Sequence, residues 1–513
     1  MNMKPNKNPN IIIITSDQHR GDCYGFKGKN IKTPHLDQMA QSGVVFEQCI
    51  TPNAVCQPAR SSILTGLLPC THGVSDNGID LQPEMAARGF GKRFSEAGYS
   101  SGFIGKAHFS THHTFQPTGS PECRWSIPKL NPDWQGPYMG FHHLETMVLG
   151  HYANTSPKPP PDALHYERWF FQDGKGNEKI KQWQTRLKPD IEAPQTWNSA
   201  LPVAWHTSTW VADRSIEFIK NHQEGPFILW ISFPDPHTPF DCPEPWSRLH
   251  HPETVDLPRQ MNLDFENKPW WHKKSFEGTP NLQDQELQQH RAKWSRQTAP
   301  DEEPLRHLIA NYYGMISLID HNLGRINTVI DDLGLNKTTL RVFTSDHGEW
   351  LGDHGLLLKG PMLYEGLLRV GLILQAPWIE GGSSIYETVS TLDIAPTIYD
   401  YAKLNPHQNL HGQSLRPLIE NNGTRDYALS EWDLRPSRNG LSLRLKTVRT
   451  SHAKLTYEFL SGTGEMYDLS NDPDEMYNLY DDPGYRPLRK ELMEMIQSRP
   501  DDEIPMLDQV GMA

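Results

Sequence analysis

Apolar residues in this chain fall into short unbroken runs, separated by longer stretches with a helical period. Asn10–Ser16 holds four consecutive isoleucines, Ile11 to Ile14. A β-branched run without polar alternation is what a strand covered on both faces requires. Val44–Cys49, Tyr99–Ile104, Pro226–Phe233, Thr339–Thr344 and Val370–Leu374 read the same way. Between them the period lengthens. Helices are predicted from Pro34 to a stop at Gly43, over about Gly89–Ala97, over Thr207–His222, over about Pro304–Leu333 and over Ser390–Leu404. Strand, loop and helix in repeated order predict an α/β fold, with a large, mainly parallel sheet and helices on both faces.

Two stretches break the pattern. Residues near 109–205 and 241–300 lack a clean period, are rich in proline and histidine, and carry ten of the fifteen tryptophans. So much irregular chain inside a compact domain usually builds binding loops. From residue 441 the texture changes again. Thr447–Thr450 and Ala453–Tyr457 suggest an antiparallel hairpin, followed by Glu465–Leu469 and a helix over about Pro487–Gln497. The division expected is a catalytic-sized α/β domain over 1–440 and a small α+β domain over 441–513.

Composition narrows the partners. The 513 residues carry a formal charge of −13, which argues against nucleic acid or an anionic membrane surface and requires a local basic pocket for any anionic substrate. No apolar run is long enough to span a bilayer. The first residues, Met1 to Asn10, lead into only four isoleucines, so no signal-peptide core is visible and the expected location is cytoplasmic, or periplasmic if a leader has been removed. The six cysteines are widely spaced with no Cys-x-x-Cys pair, which reads as reduced thiols.

The candidate chemistry sits where strands end. Asp17-Gln18 follows the first strand, Lys106 and His108 the third, His237 the fourth and Asp346-His347 the fifth, with Lys359 beyond. Ligand sites of open α/β sheets gather at those carboxyl ends. Cys56-Gln57-Pro58-Ala59-Arg60 opens a helix that Gly66 closes, so Cys56 would lie at a helix N-terminus and Arg60 one turn on, both able to meet an anion. Each has a plainer reading alone: Cys56 as a small buried hydrophobe, Asp17 as a cap, Lys106 and His108 as a solvated rim. Together, oxygen-rich ligands with one imidazole suit a divalent cation, and the surrounding cations suit a tetrahedral oxyanion.

The Cys-x-Pro-x-Arg run resembles the activation motif of the type I sulfatases of the alkaline-phosphatase superfamily. The other segments, including Gly105-Lys106-x-His108, Ser345-Asp346-His347-Gly348 and the closing Tyr467-Asp468-Leu469 stretch, occur in that family's order. The resemblance implies an alkaline-phosphatase-like fold, a formylglycine formed from Cys56 by a maturation enzyme, and a divalent cation held by Asp17, Gln18, Asp346 and His347 with Cys56 touching it. It also implies that Arg60 steadies the nucleophile, Lys106 binds a sulfate oxygen, His237 and Lys359 serve the leaving oxygen, and His108 removes a proton for release. Asn77 is a further substrate contact. The aromatic inserts point to a sulfated saccharide as substrate.

Two positions depart from the pattern. Many members carry aspartate where Gln18 stands and asparagine where His347 stands. The loss of a charge and gain of a nitrogen leave calcium the first expectation and manganese the second. The same pairs resemble phosphonate monoester hydrolases of the superfamily, which makes such a hydrolase or phosphodiesterase the alternative; Lys106 and His108 favour the sulfatase. A carbohydrate-binding protein on a retired catalytic fold is the reading without chemistry.

Overall fold

The computed structural model describes residues 8–150, 156–294 and 297–512. The opening residues on which the expected location rests lie largely outside them, as does the side chain of Trp294 in the second insert.

The isoleucine run forms β1 (Asn10–Ser16) and is fully buried. Its side chains alternate between two cores, as strand geometry demands. Ile11 and Ile13 join Phe46, Phe103 and Trp230 on one face; Ile12 and Ile14 join Trp210, Phe218, Ile319 and Leu323 on the other. That two-sided burial is why the run shows no polar alternation.

Around β1 lie β2 (Val44–Ile50), β3 (Ser100–Gly105), β4 (His143–Thr146), β5 (Phe227–Ser232), β6 (Thr339–Ser345), β7 (Arg369–Gln375) and β8 (Ser383–Ser390). They form one eight-stranded sheet in the order β8-β2-β7-β6-β1-β5-β3-β4. All pairings are parallel except those of β7, which runs against β6 and β2. The mainly parallel sheet of the sequence reading is therefore present, with one reversed strand.

Helices cover both faces. On one side pack α1 (Pro34–Ser42), α4 (Thr207–Asn221) and the 31-residue α5 (Glu302–Asp332), about 45 Å long at 1.5 Å per residue. On the other pack α2 (Cys56–Thr65), α3 (Phe90–Glu96) and α6 (Ile394–Ala402). A second sheet, antiparallel and four-stranded, comprises β9 (Tyr427–Leu434), β10 (Leu443–Thr450), β11 (Ala453–Glu458) and β12 (Thr463–Asp468). It starts before residue 441. The last helix, α7 (Arg486–Gln497), lays Leu492 and Ile496 on Val448, Leu455 and Met466 of this sheet. The chain then returns to the large sheet's loops, where Gly511–Met512 pairs with His113–Thr114. No helix among the described residues is long and apolar enough to cross a membrane.

Candidate active site

The site is set by register. β1 and β6 are parallel neighbours with Ser16 opposite Ser345, so the next residues, Asp17 and Asp346, emerge side by side. The Gln18 amide N–H donates to Asp346 Oδ1 at 3.1 Å and ties the two strand ends. α2 points its first residue, Cys56, at the same spot; all ten of its residues are buried, and Gly66 ends it at φ +70°.

Arg60 lies one turn into α2 and binds both carboxylates. Its Nη2 is 3.1 Å from Asp17 Oδ2 and its Nε 2.9 Å from Asp346 Oδ2, while Nη1 donates to Lys106 O at 2.8 Å and Ser232 Oγ at 2.7 Å. Lys106 Nζ stands 2.5 Å from Asp17 Oδ2. All four charged groups are essentially without solvent contact. Burying such charges is tolerable because two anions face two cations with nearly every hydrogen bond made. Burial would raise the Asp17 carboxyl, yet Lys106, His237 and Arg60 hold it well below the usual carboxylate range.

The Cys56 thiol is the focus. His347 Nε2 and Lys359 Nζ are each 3.1 Å from Sγ, Asp17 Oδ1 is at 3.8 Å and Lys106 Nζ at 3.9 Å. Burial alone would push the thiol up; Lys106, Lys359 and His347 outweigh it and hold the group well below its ordinary value. The oxygens that Arg60 leaves, Oδ1 of Asp17 and of Asp346, face His347 Nε2 at 4.0 and 3.9 Å. The His347 Nδ1–H donates to Gly348 O at 2.8 Å, so its Nε2 lone pair looks into the site. Asp17, Cys56, Asp346 and His347 thus offer ligand atoms within 4.8 Å of one another, all buried. Two carboxylate oxygens, an imidazole nitrogen and the neighbouring Gln18 amide oxygen are donors that fit a divalent cation.

The remaining candidates ring this centre. Lys359 Nζ donates to Gln18 Oε1 at 3.0 Å and lies 3.1 Å from His237 Nε2. The His237 Nδ1–H donates to Thr238 O at 2.6 Å, which leaves Nε2 facing inward. Burial, with Lys359 and Lys106 beside it, lowers His237 to about 4. His108 adopts φ +52° just after Gly105, at φ +112°, where a Cβ would come 1.9 Å from Ser232 O. Its ring is buried and stands against the Cys56 thiol, which it helps to hold low. Asn77 is drawn in as well: its Oδ1 accepts the Gln57 amide N–H at 3.0 Å, which caps the first turn of α2 and leaves the NH2 group to donate.

A sequence profile described as "Sulfatase" matches residues 9–404, a span that holds every one of these side chains. The chain belongs to the sulfatase family, whose members are sulfuric ester hydrolases.

A second profile, for the C-terminal part of N-sulphoglucosamine sulphohydrolase, matches residues 352–501. The chain is similar to an arylsulfatase of Clostridium perfringens, 29% identical over 96% of this chain and 95% of that protein. It is also similar to an N-acetylglucosamine-6-O-sulfatase of Bacteroides thetaiotaomicron, at 25% identity over 96% and 86%. Among solved structures, a phosphonate monoester hydrolase from Silicibacter pomeroyi superposes with a TM-score of 0.75 at 20% identity, over 97% of this chain and 96% of that one. That likeness speaks to an alkaline-phosphatase-like fold.

Several side chains that build this sulfatase-family site escaped the sequence reading. Glu349 accepts from the Gln18 amide Nε2 and from the Leu351 and Leu358 amides, and burial raises its carboxyl to about 7. Glu122 accepts the His108, Phe109 and Ser110 amides at 2.6, 3.1 and 3.1 Å, which fixes the loop that carries His108. Ser232 anchors Arg60. Glu349 lies two residues past His347, so its neighbourhood was visible; Glu122 lies in an insert with no local signal.

Proposed function

We propose that this protein hydrolyses a sulfate ester of a sulfated carbohydrate, with position 56 as the nucleophile after maturation of Cys56 to formylglycine. The observation that carries the reading is the crowding of Lys106, Lys359, His237 and His347 about the buried Cys56 Sγ. Sγ stands where the oxygens of the matured residue would be. Hydrated formylglycine would supply a hydroxyl nucleophile and a second hydroxyl through which the product can be released. Asp17, Gln18, Asp346 and His347 would hold the divalent cation, calcium as first choice and manganese as second, and that ion would supply Lewis acidity toward the sulfate.

The chain's own groups account for the rest. Arg60, Lys106 and Lys359 set three positive charges against Asp17 and Asp346, an excess suited to a tetrahedral anion. Arg60 orients the nucleophile from the adjoining turn, and Lys106 meets a sulfate oxygen. His237 Nε2 and Lys359 Nζ stand together for the leaving oxygen; proton delivery by His237 requires that the bound anion raise its low affinity for protons. His108, beside position 56, is the base that withdraws the proton for release. The contacts of Asn77 leave its NH2 to the substrate.

The relatives named for sulfated substrates support a sulfated carbohydrate, and the tryptophan-rich inserts supply surfaces for sugar rings. The fold likeness to a phosphonate monoester hydrolase and the Gln18 and His347 ligands keep that activity as the second reading. Matured enzyme should be compared on sulfated saccharides, an aryl sulfate and a phosphonate monoester. Preference for the phosphonate with saccharides untouched would replace the first reading by the second, and full activity with unmodified Cys56 would remove formylglycine from the mechanism.

A further inference from the structure

The loop that carries His108 continues into a cluster that the reaction does not use. His112 and His113 pack ring against ring at 4.8 Å between centroids, and both are partly open to solvent. The Arg124 amide N–H donates to His112 O at 3.1 Å, so the Arg124 side chain starts beside the histidine pair. Its guanidinium lies 5.0 Å from the ring centre of Trp125, which is 45% exposed. Lys158, exposed on the proline-rich loop, bears electrostatically on both histidines.

Three features set these cations apart. Among the described residues Arg124 has no ion pair and its Nε is buried without a hydrogen bond, although most arginines there are paired. Lys158 has no ion-pair or hydrogen-bond partner among the described residues either. The acids nearby are occupied: Glu122 holds the 108–110 amides and the Tyr138 hydroxyl, and Asp80 accepts the Thr111 amide at 2.7 Å. The His112 Nδ1–H donates to Glu122 O at 3.0 Å, so its Nε2 is left as an acceptor. Burial keeps His112 and His113 low, at about 4 and about 3, hence neutral near pH 7. An acceptor nitrogen four residues along from His108, an exposed indole and two unpaired cations form the donor and acceptor set of an anionic sugar.

We propose that Arg124 and Lys158 form a subsite for a second anionic group, a carboxylate or a sulfate, on the saccharide whose ester lies at Cys56. His112 Nε2 accepts a hydroxyl of the same ring, and Trp125 covers its apolar face. The inference rests on the sulfatase reading of the centre and adds that the substrate is polyanionic. A chain of net charge −13 repels such a molecule at long range, so local unpaired cations must capture it.

The test is binding, measured by calorimetry on the Cys56→Ser protein so that turnover does not intervene. The probes are 6-sulfated N-acetylglucosamine linked to glucose, the same sugar linked to glucuronate, and the glucose form bearing a second sulfate. Either added anion should tighten binding by about tenfold, and the preference should fall to within about twofold in Arg124→Ala/Lys158→Ala. The exposed Lys158→Ala alone, a substitution with little bearing on folding, should remove part of it. Equal affinity for all three probes, no binding of any, or a preference unchanged in the double variant would overturn the subsite. Failure of the sulfatase reading would show separately, as matured wild-type protein that leaves both sulfated saccharides and 4-nitrophenyl sulfate intact.

Discussion

Glu349 fixes which end of the Gln18 amide faces the site. Above about pH 7, where Glu349 is ionised and only accepts, the NH2 of Gln18 turns to it and Oε1 turns to Lys359 and the ligand cluster. The Gln18 backbone is held as well, at φ +63°, with its carbonyl accepting from Tyr312 OH at 2.7 Å. Glu349→Gln can donate as well as accept and releases this constraint. The expected outcome is a metal affinity about 10–100-fold weaker, with a matching loss of rate. A chelator titration followed by elemental analysis measures it; unchanged affinity would show that Gln18 is oriented by Lys359 alone.

Asp17→Asn should cost stability as well as chemistry. It leaves Arg60 and Lys106, both without solvent contact, to share the single carboxylate of Asp346. Breaking a buried ion cluster by removing one partner costs about 3–5 kcal/mol. Urea denaturation checks the value, and metal content should fall in the same variant. A stable, metal-loaded Asp17→Asn protein would show that the carboxylate is dispensable to both.

His237→Ala should separate substrates by leaving group. With His237 Nε2 beside Lys359 at 3.1 Å, protonation of the departing oxygen is the step that suffers. Alkyl or saccharide sulfates should lose about 10²–10⁴ in kcat/KM, and aryl sulfates, whose phenolates leave unaided, far less. Equal losses on both would transfer the acid role to Lys359.

Acid should destabilise the fold from about pH 6.5 downward, in part through His72. This residue is 1% exposed on the short helix Pro69–His72; its Nε2 meets Ser62 Oγ at 2.9 Å, and its Nδ1 accepts the Val74 amide at 3.2 Å. Burial, with His411 nearby, lowers it to about 3. The folded state refuses a proton that the unfolded state accepts at 6.5. Stability is therefore complete above pH 6.5 and falls by about 1.4 kcal/mol per pH unit until pH 3. His72→Gln, which keeps a donor and an acceptor, should flatten the pH dependence of urea midpoints by that amount.

The fold was legible where one strand or helix carries its own signal. The Ile11–Ile14 run announces two-sided burial, and Pro34 with Gly43 brackets α1. The edge strands β4 and β8 were not legible. His143-Leu144-Glu145-Thr146 is short and mixed, and Ser383–Ser390 mixes polar and apolar residues without a strict period, because an edge needs less apolar cover. The reversal of β7 could not be read either, since a buried run looks alike in both directions. In the candidate site, Cys56, Arg60, Asp17, Asp346 and His347 stand out in the sequence because motif and strand ends mark them, and the structure brings them within contact of one another. Glu349 and Glu122 reach the cluster through loops whose course depends on tertiary packing, and no local pattern encodes that.

The burial of Cys56 has a consequence in time. The partners that enclose its sulfur, His347 and Lys359, follow it by 291 and 303 residues. On the formylglycine reading, a maturation enzyme must reach the cysteine before they arrive. With synthesis at roughly 5–20 residues per second, that leaves about 15–60 s per molecule. The speed of translation would then set the fraction of molecules that ever become active, and slowing synthesis should raise the specific activity of the purified enzyme without any change in its sequence.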